Sequence, residues 1–138
     1  MNYDTMEAGR EMDALVAEKV MGWKAWEETR GEYTHVVWQR PGDREPWYGS
    51  RDWQRHVGRY RPLVKYDPRR HIERGLSPFS TDISAAWKVV EKMGNFKLLR
   101  TDITRDHWFC EFNGGWGAYA PSAPLAICRA ALKSKEGT

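Results

Sequence analysis

The sequence is poor in cysteine and has no long apolar run. Its two cysteines, Cys110 and Cys128, lie among apolar residues and belong to no CxxC motif, which predicts reduced thiols and a fold that needs no disulfide. No apolar run approaches the roughly 20 residues that cross a bilayer, and no signal-peptide pattern stands at the N-terminus. We therefore expect a soluble, cytoplasmic protein without a membrane partner.

The motifs of the common enzyme classes are also missing, since the sequence has no phosphate-binding loop, GxSxG or HExxH. The spacing of His107 and Cys110 could hold a metal, but an alternating strand points them to opposite faces, and a structural zinc needs four ligands. Asp102, Asp106 and His107 could form an acid–base cluster, although Asp is also typical of turns. We expect a protein that is not an enzyme and has no cofactor or metal site.

The composition indicates one globular domain with an uneven charge. A chain of 138 residues with 41% hydrophobic residues and eight Trp can bury a core. Residues 1–32 carry four Lys/Arg against eight Asp/Glu, whereas residues 40–75 carry ten against five. The basic middle segment suggests an anionic partner.

The central helix is predicted over residues 80–93. Ser80 or Thr81 can cap its start, Asp82 lies in the first turn where a negative charge is favoured, and Gly94 can end it. Its apolar residues recur at helical spacing and predict one buried stripe, made of Ile83, Ala86, Trp87, Val90 and Met93.

Two further helices are predicted at the ends of the chain. The first ends at Gly22 and has an apolar face formed by Met12, Leu15, Val16 and Val20. The last spans residues 122–133, with Pro124 in the first turn, where its missing N–H costs nothing. Its predicted buried residues are Leu125, Cys128, Ala131 and Leu132.

The predicted strands complete an α+β fold in which a small antiparallel sheet packs with helices. Residues rich in β-branched and aromatic side chains favour strands at 33–39, 96–99, 107–112 and 116–119. Asn113, Gly114 and Gly115 predict a hairpin turn. Residues 40–75 are interpreted as a long insertion, with Pro62 on an edge strand. The prediction is one domain, with its core at residues 5–39 and 76–133.

This insertion alternates aromatic rings with guanidinium groups. Such a combination stacks on bases and binds phosphates or carboxylates, but it can also hold an irregular loop against its own domain. The candidate ligand-binding residues are Trp47, Arg51, Trp53, Arg55, Arg59 and Arg61. If the pocket lies elsewhere, the next candidates are the surroundings of Trp23 and Trp116.

Three blocks of sequence resemble one known family. They are residues 9–23 (GREMDALVAEKVMGW), 79–93 (FSTDISAAWKVVEKM) and 123–132 (APLAICRAAL). In this order they are similar to the small bacteriophage and prophage proteins of the phage ABA sandwich domain type. The resemblance implies a phage origin and an α/β/α sandwich, and it brings no catalytic residues.

From these observations we expect a phage-encoded binding protein in the cytoplasm of the bacterial host. Its expected partner is an anionic nucleotide-derived ligand, such as a host defence signal, which it would sequester without chemistry. The alternative is a protein–protein inhibitor or structural interaction module, because Trp and Arg are enriched where binding energy concentrates. A nucleic-acid partner is a weaker expectation on this modest charge, and a homo-oligomer is expected.

Overall fold

The computed structural model describes residues 2–30, 33–43, 60–67, 71–102 and 107–137. Its backbone contacts divide the chain into two compact units. The first unit contains Met1–Met21 and Ser77–Thr138, and the second unit contains Gly22–Leu76. The prediction of one domain with an insertion at residues 40–75 stays a prediction.

The second unit is built on a four-stranded sheet of order β3-β1-β2-β4. Its strands are β1 (Lys24–Arg30), β2 (Tyr33–Gln39), β3 (Tyr60–Pro62) and β4 (His71–Arg74). Strand β1 pairs antiparallel with β2 and β3, whereas β2 and β4 are parallel. The predicted strand at residues 33–39 is confirmed, and Pro62 lies on an edge strand as expected. Strands β1 and β4 were not predicted.

The first unit contains an antiparallel sheet of order β5-β6-β7. Its strands are β5 (Phe96–Arg100), β6 (Trp108–Phe112) and β7 (Trp116–Ala120). The predicted hairpin joins β6 to β7 through Asn113, Gly114 and Gly115, since Phe112 pairs with Trp116. Asn113 and Gly114 have φ angles of 55° and 73°, the positive values that the central residues of a type I′ turn require. On one face of β6 and β7 the side chains are buried, namely Cys110, Phe112, Ala118 and Ala120.

The C-terminal helix, α3 (Ala123–Gly137), is the centre of the first unit. It contacts β6, β7 and the helices α1 (Arg10–Lys19) and α2 (Ile83–Met93). Every residue from Pro124 to Leu132 is buried, so the helix has partners on all sides. The predicted helix and its buried residues are confirmed.

Helix α1 is shorter than predicted, since it ends at Lys19 and not at Gly22. Met12 and Val16 are buried as expected. Asp13 is buried as well, although it is an acid in the first turn of the helix. Its partners are described below.

Two predictions about α2 are wrong. The cap is Asp82, whose side chain accepts a hydrogen bond from the Ser84 N–H (3.1 Å), because Ser80 is buried and bonded elsewhere. Ile83 and Trp87, predicted as buried, are 48% and 43% exposed. The face of α2 that is buried is formed by Ala85, Ala86, Val89 and Val90, whose small side chains allow close packing of helices.

The predicted α+β class is confirmed, and the helices and two small sheets of the described residues are consistent with an ABA sandwich. None of the helices at residues 10–19, 83–93 and 123–137 is long and apolar enough to cross a bilayer.

Candidate binding surfaces

Of the six predicted ligand-binding residues, Arg61 is the one that the structure describes. It lies in β3, is exposed, and is paired in register with Glu27 of β1. The other five, Trp47, Arg51, Trp53, Arg55 and Arg59, lie outside the described residues. The prediction that these residues bind a ligand therefore stays a prediction.

Cations and aromatic rings do stack within the second unit. The Arg40 guanidinium carbon lies 4.9 Å from the centre of the Trp23 ring, and the Lys24 ammonium lies 4.2 Å from that of Trp26. The Trp26 indole N–H also donates to Gln39 Oε1 (2.9 Å), across the β1–β2 pair. In these residues the ring and the cation stabilise the unit's own strands.

A buried hydrogen-bond cluster joins α1 to the segment before α2. Asp13 Oδ1 accepts from the Ser80 hydroxyl and the Ser80 N–H, both at 2.7 Å. The same hydroxyl accepts from the Gly9 N–H (2.9 Å), and Arg10 lies 3.3 Å from Asp13 Oδ2. Burial raises the pKa of Asp13, although the bonds to Ser80 and the Arg10 charge oppose the shift.

This cluster has a structural role and not a catalytic one. Asp13 and Ser80 are 1% and 0% exposed, so a substrate cannot reach either of them. The pair could not be predicted from sequence, because an acid in the first turn of a helix is usually explained by the helix dipole.

Both cysteines are buried free thiols. Burial raises the pKa of Cys110 to about 12 and the pKa of Cys128 well above its ordinary value, so neither is a reactive thiolate. His107 is exposed while Cys110 is buried, as the alternation of the strand predicts. No group of three potential metal ligands occurs in the part of the chain that the structure describes.

A cleft of about 230 Å³ lies beside Trp116, near the N-terminal segment and α3. The Lys133 ammonium there bonds to Asp4 Oδ1 (2.9 Å) and to the Gly117 carbonyl (2.7 Å), and Glu136 adds a second carboxylate. The cation is thus already paired, and the acidic lining does not favour an anionic ligand. The Trp116 surroundings consequently give the nucleotide hypothesis little support.

The outer face of the β5-β6-β7 sheet carries a row of large side chains at one register position: Leu99, Phe109 and Tyr119, here called the outer row. Leu99 and Tyr119 are 44% and 52% exposed. The rings of Phe109 and Tyr119 lie 4.8 Å apart.

The Phe109 ring also covers Gly117 on the edge strand β7. A Cβ atom at Gly117 would lie 2.6 Å from the ring, so only glycine allows the ring to lie this close to the strand. The outer row is therefore a largely apolar surface of one aliphatic and two aromatic side chains, supported by a regular sheet.

A second exposed group lies at β5 and α2. Trp87 packs edge-on against Phe96, with ring centres 5.4 Å apart, yet both remain more than 40% exposed, as does Ile83 one turn earlier on α2. Single exposed apolar residues are ordinary, whereas a group of adjacent ones is a candidate interaction surface.

Comparison with known proteins identifies the family. Residues 14–132 match the model of the Phage ABA sandwich domain. The crystal structure of a phage protein from Bacillus cereus ATCC 14579 is similar in fold, with a TM-score of 0.52 at 21% identity over 97% of this chain and 94% of that one. Curated proteins give no match. Because the family model covers most of the sequence, this chain belongs to the Phage ABA sandwich domain family.

Proposed function

We propose that this phage protein acts by binding and not by catalysis, and that its partner is another protein. The observation that supports this most is the outer row, Leu99, Phe109 and Tyr119, which crosses all three strands of the first unit's sheet. A regular sheet holds these side chains, so little conformational entropy is lost on binding.

The chemistry of the outer row fits a protein surface better than a small molecule. Small ligands are bound in concave pockets, whereas the outer row lies on the face of a sheet. Lys97 and Glu111 are paired at the neighbouring position on the same outer face. They would supply a polar rim with one positive and one negative charge. An apolar centre with a charged rim is the usual anatomy of a protein–protein interface.

The test begins with photo-crosslinking in infected host cells. Tyr119 is replaced by benzoylphenylalanine, and the matched control carries the same group at Lys92, an exposed position on α2. We expect a protein adduct specific to position 119. Equal adducts at both positions would contradict the proposal.

The partner protein identified from the adduct is then purified, and its affinity for the phage protein is measured. Tyr119→Ala should weaken binding about tenfold or more, which corresponds to roughly 1.4 kcal/mol, while Lys92→Ala should leave it unchanged. The melting temperature should stay the same in both variants, since each side chain is exposed. Unchanged binding by Tyr119→Ala would exclude the outer row.

A second candidate function is sequestration of an anionic nucleotide-derived ligand, such as a host defence signal. It is supported by the arginines and tryptophans of residues 47–61 and by the exposure of Arg61. Stacking on one ring contributes about 1–3 kcal/mol per base. Either function would be carried out in the cytoplasm of the bacterial host.

Native mass spectrometry of protein from infected cells would detect such a co-purified ligand. Trp53→Ala and Arg55→Ala should then weaken its binding without lowering the melting temperature, with Lys88→Ala as the exposed control. If both variants melt early in proportion to their loss of binding, these residues are scaffold and this second function is wrong.

A further inference from the structure

Strand β5 is the outermost strand of its sheet among the residues that the structure describes. At its two ends, Asn113 N–H donates to the Asn95 carbonyl and Thr101 N–H to the His107 carbonyl. In an antiparallel pair the hydrogen-bonded positions alternate, so residues 97 and 99 also direct their backbone toward β6. The backbone groups of Phe96, Leu98 and Arg100 therefore point away from the sheet.

Both faces of this open edge carry exposed apolar side chains. Phe96, in contact with Trp87, lies on the face toward the helices, and Leu99 lies on the outer face. The spacing of the apolar residues in α2 predicts that Trp87 is buried, yet in the single chain it is 43% exposed. An open edge between two apolar surfaces is a template for another strand.

We propose that two copies of this chain pair antiparallel through β5, about a twofold axis at Leu98, to form one continuous six-stranded sheet. This register pairs all five residues of the strand. It sets Arg100 opposite Phe96 of the second copy, where a guanidinium can stack on the ring, and Lys97 opposite Leu99.

The length of the strand and its charges favour this register, since an axis at Leu99 would pair only residues 98–100. A twofold axis at Lys97 would place two ammonium groups directly opposite each other, which is unfavourable, and would pair only residues 96–98. An axis at Leu98 places no like charges directly opposite each other and leaves the two Lys97 residues as diagonal neighbours. The pairing would also cover Phe96 and Trp87, which are exposed apolar residues near the edge. This inference does not rest on the proposed partner protein.

Cysteine crosslinking tests the register. In a hydrogen-bonded antiparallel pair the two Leu98 Cα atoms would lie about 5.5 Å apart, within the range of a disulfide. The matched control is Leu99, whose counterpart is diagonal at about 7–8 Å, beyond that range. Cys110 is the register partner of Leu98 in β6 and would capture a new thiol at that position, so both variants are made in a Cys110→Ala background; Cys128 is buried in α3.

We expect the purified protein to be a dimer by native mass spectrometry and light scattering. Mild oxidation should crosslink Leu98→Cys efficiently and Leu99→Cys at least about tenfold less. A monomer at concentrations of tens of micromolar, or equal crosslinking of the two variants, would overturn the proposal. So would a monomer that binds an acidic peptide along β5.

A charge exchange gives an independent test. Phe96→Lys would face Arg100 of the second copy and should weaken the dimer about tenfold or more, whereas adding Arg100→Glu should restore it through two Lys–Glu pairs. Because Phe96 and Arg100 are exposed, urea unfolding of the separated monomers should change little. A double variant as dissociated as Phe96→Lys would show that the axis does not lie at Leu98.

Discussion

Helices α2 and α3 of the first unit differ in how their residue types relate to burial. Helix α2 has the larger apolar residues, including Ile83 and Trp87, and leaves both half-exposed. Helix α3 contains many alanines and even an arginine, yet it is buried from Pro124 to Leu132. Burial in this unit therefore follows the number of elements around a helix more than the hydrophobicity of the helix itself.

Small side chains explain how α3 takes that position. Ala126, Ala130 and Ala131 are fully buried and allow neighbouring elements to approach the helix backbone closely. Arg129 is also buried, and its guanidinium binds the Met6 carbonyl twice (3.0 and 2.8 Å) and the Tyr119 carbonyl once (2.8 Å). The arginine thus links α3 to the N-terminal segment and to β7.

The largest expected effect is loss of a buried aromatic on the α3 side of the sheet. Phe112→Ala should lower the free energy of unfolding by about 3–5 kcal/mol, because Phe112 is 0% exposed and its removal leaves a cavity. Urea unfolding measures the change. Phe112→Leu, which keeps most of the volume, should cost much less, and an equal loss in both variants would contradict the cavity explanation.

Removal of the buried arginine should come next. Arg129→Ala should cost about 3 kcal/mol, since hydrogen bonds to charged groups are stronger than neutral ones and two carbonyls lose their partner. Arg129→Lys keeps the charge but not the planar fork, so it should recover only part of the loss. Lys88→Ala, on the exposed face of α2, should be neutral. A loss below about 1 kcal/mol would show that Arg129 does not hold these segments together.

Trp87→Ala should have a smaller effect on the single chain. The sequence predicts a cost of about 3–5 kcal/mol for a buried tryptophan, but the observed exposure reduces the expected loss to about 1–2 kcal/mol. Urea unfolding at two protein concentrations checks this. If the β5 dimer forms, the cost should increase with concentration. A cost equal to that of Phe112→Ala at low concentration would mean that Trp87 is buried after all.

Local signals were sufficient for much of the fold. The Asn113–Gly114 turn fixed the β6–β7 hairpin, because few sequences accept two positive φ angles. Proline at residue 62 marked an edge strand, and Pro124 marked the start of a helix. Each of these depends on the backbone of a few neighbouring residues.

Features that depend on distant partners could not be predicted. Strand β1 is rich in charge, and its extended form comes from pairing with β2 and β3. The periodicity of α2 predicted one buried stripe but not which face of the helix is buried. Contact with α3 buries the face that carries the alanines. The outer row could be recognised only once the register of three strands was known. Five of the six predicted ligand-binding residues lie outside the described ones.

The smallest effect concerns the buried Asp13, which anchors α1 to the segment before α2. Burial raises its pKa above the ordinary value of 3.8, so the folded protein binds this proton more tightly than the unfolded chain does. The resulting stabilisation is fully present below pH 3.8 and is lost as the pH rises through the raised pKa. Wild type should therefore lose stability relative to Asp13→Asn as the pH rises.

Urea unfolding of both proteins between about pH 3 and pH 7 measures that difference, since the other titrating groups are common to both. Ser80→Ala provides the control. It removes the hydroxyl that donates to Asp13 (2.7 Å) and holds its pKa down, so the fall relative to Ser80→Ala/Asp13→Asn should extend to higher pH. If wild type keeps or gains stability relative to Asp13→Asn as the pH rises, the bonds to Ser80 and the Arg10 charge outweigh burial and keep the carboxylate ionised.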